Sequence, residues 1–179
     1  MSEFVNFTAP DVATEHLIGF KPTIDCYDYY LNMFQDPGFV GCYGVRFNDE
    51  EIRNIIGRDI DYWNQYGFGP YVWFDSETKA FVGEGGLNHT VVEGDEEIEL
   101  TYSLVKDCWG KGLACEIGCF AMEQAFNQLN LEHIVCFTIP TNTQSLRVMN
   151  KLGFVFERDF VHANLPHQLF KMKRTLPSK

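Results

Sequence analysis

Hydrophobic and polar positions follow two different periods along the chain, and the changes of period mark its elements. Glu15 to Phe20 reads as a short first strand. From Thr23 to Gln35, Tyr27, Tyr30, Leu31 and Phe34 recur at helical spacing, and Asp36-Pro37-Gly38 stops that helix. Asn48 with Glu51 three residues later has the form of a capping box. The helix it opens carries Ile52, Ile55, Ile56, Ile60 and Trp63 on one stripe and ends at Gly67-Phe-Gly-Pro70. Strands follow at Tyr71 to Phe74, Phe81 to His89 and Ile98 to Val105, joined by polar turns at Asp75 to Lys79 and Glu93 to Glu97. In the third of these, Ile98, Leu100, Tyr102 and Leu104 alternate with Glu99, Thr101 and Ser103.

The second half changes rhythm. A long helix is predicted over Gly112 to Leu129, a strand over Ile134 to Ile139 and a helix over Asn142 to Leu152 with Gly153 as its stop. Strands at Phe154 to Phe160 and Leu169 to Lys173 close the pattern, and Leu176 to Lys179 reads as a loose tail. Three strands joined by short turns predict an antiparallel meander, and the strand–helix–strand order from Tyr102 to Phe137 predicts a parallel crossover. The fold class is therefore α/β, a mixed sheet with an antiparallel meander followed by parallel central strands, flanked by helices. No repeat or Pro/Ser-rich linker divides the 179 residues, so one domain is expected, with its core over about 15–174.

Composition narrows the function classes. With 16 Phe, 8 Tyr and 3 Trp the chain has the rings for a sizeable core, which excludes disorder. Its 14 Lys+Arg against 25 Asp+Glu leave a net charge of −11. That balance disfavours nucleic acid and anionic membranes and suits an amine-bearing partner. No apolar run approaches membrane-spanning length, and no secretory signal is visible, so a cytoplasmic location is expected. The six cysteines form no CxxC pair and read as reduced, buried, small apolar residues. Cys115 and Cys119 would share a helix face but lack two further ligands, so no metal is expected.

Chemistry concentrates where a strand runs through Leu104-Val-Lys-Asp-Cys-Trp-Gly-Lys-Gly-Leu-Ala-Cys115 into a helix. Gly110 and Gly112 permit close approach of a ligand, and the first helical amides lack internal partners. A helix start of this kind can hold a pyrophosphate, or be only a tight turn. The spacing is neither a Walker loop nor GxGxxG.

Trp109-Gly-Lys-Gly-Leu-Ala114 resembles the acyl-CoA pyrophosphate loop of the GNAT N-acetyltransferases, and more closely that of their RimJ/RimL-type branch, which commonly reads Tyr-Trp-Gly-Lys-Gly. Against the superfamily's Gln/Arg-x-x-Gly-x-Gly/Ala, Gly112 and Ala114 match, while Trp109 stands where Gln or Arg would. Glu99 to Leu104 is similar to the branch's Glu-Ile-Gly-Tyr-x-Leu strand, with Thr101 replacing its Gly. Pro140 to Phe154 is similar to its Pro-x-Asn-x-x-Ser-x-Arg-Val-x-x-Lys-x-Gly-Phe segment. Asp36-Pro37, Gly67-Phe-Gly69 and Val82 to Leu87 extend the likeness over roughly Glu15 to Phe160.

The resemblance implies a single-step transfer of an acetyl group from acetyl-CoA to a primary amine, either a protein N-terminus or a small molecule. It implies that Leu104 and Val105 pair with the pantetheine arm, and that Trp109, Gly110, Lys111, Gly112, Leu113 and Ala114 surround the pyrophosphate. Asn142 would meet the cofactor arm or cap its helix, and Lys151 or Lys111 would meet a phosphate. Glu99 is the implied base and Ser145 the group near the leaving thiolate; both also admit structural roles. His89 is a second candidate base. The acceptor pocket is expected around Phe39 to Tyr43, Tyr62 to Tyr71 and Glu84 to His89. The alternative is a non-catalytic acyl-CoA-binding sensor or structural module. The protein is expected to be a monomer or a homodimer.

Overall fold

A computed structural model describes residues 9–43 and 46–174, excluding the side chains of 41–43. The predicted tail and the Cys42 and Tyr43 side chains lie outside the described residues. Two short strands, β1 (Val12–Ala13) and β2 (Leu17–Phe20), precede α1 (Tyr27–Gln35), α2 (Pro37–Tyr43) and α3 (Asp49–Tyr66). The meander follows as β3 (Pro70–Asp75), β4 (Phe81–Val92) and β5 (Asp95–Leu104). Then come α4 (Leu113–Glu123), β6 (His133–Thr138), α5 (Thr143–Leu152), β7 (Val155–His162) and β8 (Leu165–Lys173). They form one eight-stranded sheet in the order β1-β2-β3-β4-β5-β6-β8-β7.

The mixed sheet is as expected, with two refinements. β5 and β6 are parallel but join only at Glu99 opposite Val135, so they splay apart toward their C-terminal ends. β8 returns antiparallel to β6 and separates it from β7. The parallel part is therefore this single rung at the centre of the sheet.

The helices cover both faces, and β3 shows why. Val72 and Phe74 pack with Tyr30, Phe34, Phe39, Ile52 and Ile56 from α1–α3. Tyr71 and Trp73, alternating with them, pack with Leu113 and Ile117 from α4 on the other face. α3 starts as predicted, with Asn48 Oδ1 accepting from the Glu51 amide at 3.0 Å and Glu51 Oε2 accepting from the Asn48 amide at 2.8 Å.

Three segments differ from the sequence expectation. Asp36 ends α1 and also starts α2: its Oδ1 accepts from the Gly38 and Phe39 amides at 2.8 and 3.2 Å, with Pro37 as first helical residue. The β4–β5 turn is only Glu93-Gly94: β4 runs on through Thr90, Val91 and the buried Val92, and β5 begins with Asp95, Glu96 and Glu97, polar residues that leave no hydrophobic mark. The long helix after Gly112 widens into a π-turn over Gln124–Gln128, where the Leu129 amide reaches the Gln124 carbonyl at 2.9 Å.

Candidate active site

The splay of β5 from β6 opens a gap in the sheet, with a hollow on each side of it. On the α4–α5 face is a cleft of about 450 Å³. Tyr102 and Leu104 of β5, the 108–115 loop and helix start, and α5 from Gln144 to Lys151 line it. On the α1–α3 face is a cavity of about 280 Å³, reached by Phe34, Phe39, Asp59, Glu84 and Glu99. Tyr102, Asn142 and Ser145 line both. The two hollows therefore meet at these three side chains.

The cleft takes its shape from the glycine loop. Trp109 folds back so that its Nε1 donates to the Leu104 carbonyl at 2.8 Å, which fixes the loop against the strand end. Gly112 caps α4 with φ +85°, in the left-handed region, and leads directly into the helix. Nothing stands within 4 Å of where a Cβ would sit on Gly110 or Gly112. The loop's backbone is thus open to a ligand, and the helix start adds positive potential. Arg147 and Lys151 supply the cleft with cationic side chains. These features suit a pyrophosphate.

The expected cofactor residues divide. Leu104, Trp109, Gly110, Gly112, Leu113, Ala114, Asn142 and Lys151 line the cleft; Val105 and Lys111 lie outside its lining. The Val105 amide is bonded to the Val82 carbonyl at 3.0 Å, and its side chain packs against the α1–α3 cluster. Asn142 is buried and caps α5, its Oδ1 accepting from the Ser145 amide at 3.2 Å.

The cavity is built by cross-strand pairing. Glu84 of β4 lies opposite Ser103 of β5, and Asn88 opposite Glu99. Hydrogen bonds join both pairs through their side chains. Asp59 enters from α3, 4% exposed, with Arg58 Nη2 3.2 Å away. Burial raises all three carboxyls, and neighbouring charge adds to it at Glu99 and Glu84. Burial, then the charge of Glu84, pushes Glu99 up to about 8, while Asn88 and Arg58 pull it back. Burial, then Asp59, pushes Glu84 up to about 7. Burial pushes Asp59 up to about 6 against the opposing Arg58. A buried carboxyl held near neutral pH can accept a proton from an ammonium, whose arrival would in turn favour its ionised form.

Glu99 is also the residue of the single β5–β6 rung, so it stands where the strands part. Ser145 lies across the gap, its Oγ 3.0 Å from the Tyr102 hydroxyl. His89 is elsewhere: it is exposed and packs edge-on against Tyr62 and tilted against Tyr66 over a separate surface depression. Of the expected acceptor residues, Phe39, Pro70, Glu84 and Asn88 line the cavity. Asp59 and Tyr102 were not singled out by sequence. Asp59 had a signal, since it stands among Ile52, Ile56 and Trp63 on the buried face of α3, where a carboxylate is out of place. Among the described residues no group of three or more His, Cys, Asp or Glu side chains is arranged to hold a metal ion.

Comparison with known proteins agrees with this geometry. The family model described as "Acetyltransferase (GNAT) domain" matches residues 17–155. A curated relative from Bacillus licheniformis, "Uncharacterized N-acetyltransferase p20", is 33% identical over 155 residues, covering 84% of this chain and 86% of its own. Among solved structures, an acetyltransferase from Agrobacterium tumefaciens superposes with a TM-score of 0.81 at 21% identity, covering 94% of this chain and 96% of its own. The aminoglycoside acetyltransferase AAC(6')-Ib, in complex with coenzyme A, superposes with a TM-score of 0.72 at 16% identity, covering 88% and 95%. With the family model spanning most of the sequence and the glycine loop, cleft and sheet gap in place, the chain belongs to the GNAT acetyltransferase family.

Proposed function

We propose that the protein is an N-acetyltransferase of the RimJ/RimL-type branch that transfers an acetyl group from acetyl-CoA directly to a primary amine. The GNAT family uses acetyl-CoA as its acetyl donor. When bound, that donor supplies the acyl carbon as a thioester. The glycine loop from Gly110 to Ala114 holds the pyrophosphate by its backbone amides, helped by Lys151. Asn142 holds the pantetheine arm as that arm passes toward the gap. Lys111 and Val105 stay outside the contact.

The observation that carries this reading is the position of Glu99, at the fork of β5 and β6, in a cavity that also holds Glu84 and Asp59. An ammonium entering there meets carboxyls on several sides. Glu99 takes its proton, directly or through a water, and the neutral amine can then attack. Ser145, on the other side of the gap, faces the leaving sulfur. The cavity's volume of about 280 Å³ matches a small amine or the first residue of a peptide. The RimJ/RimL assignment is supported by the Trp109 loop and the Pro140 to Phe154 segment.

The test is thiol release from acetyl-CoA with a panel of N-terminal peptides and small primary amines. Glu99→Gln keeps shape and hydrogen bonding and removes basicity. It should lower kcat/KM by roughly one to three powers of ten and leave CoA binding intact. Wild-type activity should rise as pH increases through about 8, where Glu99 ionises. The variant's deficit should shrink at still higher pH, where the acceptor arrives deprotonated. A fully active Glu99→Gln enzyme would place the base elsewhere. CoA binding with no turnover on any acceptor would leave a non-catalytic acyl-CoA binder.

A further inference from the structure

Ser145 is not an isolated hydroxyl. Its Oγ lies 3.0 Å from the Tyr102 Oη, within reach of the phenol's one proton, for which the Ser145 carbonyl at 3.3 Å is the longer, alternative acceptor. Tyr102 comes from β5 and crosses the gap to reach α5. Its ring packs against both apolar clusters on that face, which fixes where its hydroxyl stands. Several titratable groups face this hydroxyl or share its surroundings. The Cys136 thiol of β6 is hydrogen-bonded to it. Glu99 of its own strand shares the cavity. Cys115 of α4 and Arg147 and Lys151 of α5 share the cleft.

Acidity makes this pairing informative. An aliphatic hydroxyl is about as weak an acid as water, whose pKa is about 15.7. A thiol ionises near 8.5 and a phenol near 10. Donation from a lone serine to a thiolate is therefore unfavourable by roughly seven powers of ten, and from a phenol by only about one and a half. A serine that gives up its proton needs a stronger acid behind it, and Tyr102 is in hydrogen-bonding position to be that acid.

We propose that Tyr102 is a positioning and proton-supplying residue for acetyl transfer, its phenol replacing the proton that Ser145 gives to the leaving sulfur. This rests on the acetyl-transfer reading of the site. The acceptor nitrogen bonds to the acyl carbon, the carbon–sulfur bond breaks, and its electron pair leaves with sulfur. Sulfur takes the Ser145 proton and Ser145 takes that of Tyr102. The phenolate recovers one of the two protons that leave the acceptor nitrogen, and the other passes through Glu99 to solvent. No oxidant or reductant is involved.

The experiment compares wild type, Tyr102→Phe, Ser145→Ala and the double variant. Tyr102→Phe keeps the packed ring, so the fold should hold. One readout is kcat. Tyr102→Phe should lower it by about 10²-fold, with the KM for acetyl-CoA within about twofold. The double variant should be no slower than Ser145→Ala, because residues acting in series are not additive. A second readout needs no acceptor: affinity for CoA relative to desulfo-CoA, measured calorimetrically at about pH 7 and pH 9. The ratio should rise with pH in wild type, where the hydroxyl pair stabilises a bound thiolate, and stay flat in both single variants. If Tyr102→Phe keeps wild-type kcat and pH response while Ser145→Ala loses them, the Tyr102 proposal is overturned and the serine reading stands. If Ser145→Ala is also unaffected, the serine reading falls and the proposal with it. Independent, additive losses would overturn the relay.

Discussion

The cleft and the cavity on the two sides of the sheet gap share three residues and little else. The cleft is made largely by two continuous stretches, 104–115 and 142–151, and presents backbone amides and two cations. The cavity is floored by residues 99–103 of β5 and 136–138 of β6, and its charged groups come from separate elements, Arg58 and Asp59 from α3, Glu84 from β4 and Glu99 from β5. The contrast follows from what each hollow is suited to recognise. A pyrophosphate is held by backbone geometry, which local spacing encodes. An ammonium is held by side-chain charge, which can be assembled from anywhere the fold brings together. On the proposed reading, the opposite electrostatics would sort the two ligands between the hollows that join at Tyr102, Asn142 and Ser145.

The largest expected effect breaks the cleft and spares the cavity. Gly112 sits at φ +85° with open space around its missing Cβ, so a side chain there would strain the backbone without a clash. Asp and Asn tolerate that conformation better than most residues. Gly112→Asp adds a negative charge at the proposed pyrophosphate site, and should abolish the rise in Tm expected when CoA is added to the wild type. Gly112→Asn carries the same strain without the charge and should keep much of that rise. A folded Gly112→Asp protein with an unchanged CoA response would remove the loop from the binding site.

The same division explains what the sequence made legible. The glycine loop, the capping box of Asn48 and Glu51, the N-cap Asn142 and the stop at Gly153 are short-range patterns, and each forms where its spacing predicts. The polar face of β5 was also visible in the alternation of Glu99, Thr101 and Ser103 with apolar residues. What covers that face was not visible. Asp59 and Glu84 are far apart in sequence and become neighbours only through the packing of α3 on the sheet. Tyr102 read as one more apolar position in the alternation, because a pattern of hydrophobicity does not register where its hydroxyl ends. The insertion of β8 between β6 and β7 likewise depends on which edge the final hairpin finds.

A smaller effect tests the cavity through stability, without any ligand. Glu84 has a folded-state carboxyl raised to about 7, above the ordinary range near 4.5, chiefly by burial and then by Asp59. For a carboxyl raised in the folded state, the folded form holds the extra proton between the two values. Stability contributed by that proton is therefore lost as pH rises from about 4.5 to about 7 and stays lost above. Glu84→Gln removes the titration and keeps a side chain that can hydrogen-bond Ser103. Its Tm should match wild type near pH 5 and exceed it by about 3–6 °C at pH 8, the change expected for about 1–2 kcal/mol in a protein of this size. Equal Tm at both pH values would mean that neither burial nor Asp59 raises Glu84 in the folded protein.

The smallest effect concerns Asn142, which stands where the two hollows join and has two possible duties. Its Oδ1 caps α5 through the Ser145 amide, and its side chain faces both the cleft and the cavity. Asp caps a helix as well as Asn does, but it lacks the amide donor and brings a charge. Asn142→Ala removes both duties and should cost about 1 kcal/mol of stability, with some loss of CoA affinity. Asn142→Asp should restore the stability and fail to restore the affinity, which a thermal melt and a CoA titration on the same sample would separate. If Asn142→Asp recovers both, the cap is the whole role, and its influence on CoA runs through the position of Ser145. In that case Asn142 lines both hollows but acts only by placing Ser145, and the link between the two sides is carried by the Tyr102–Ser145 pair.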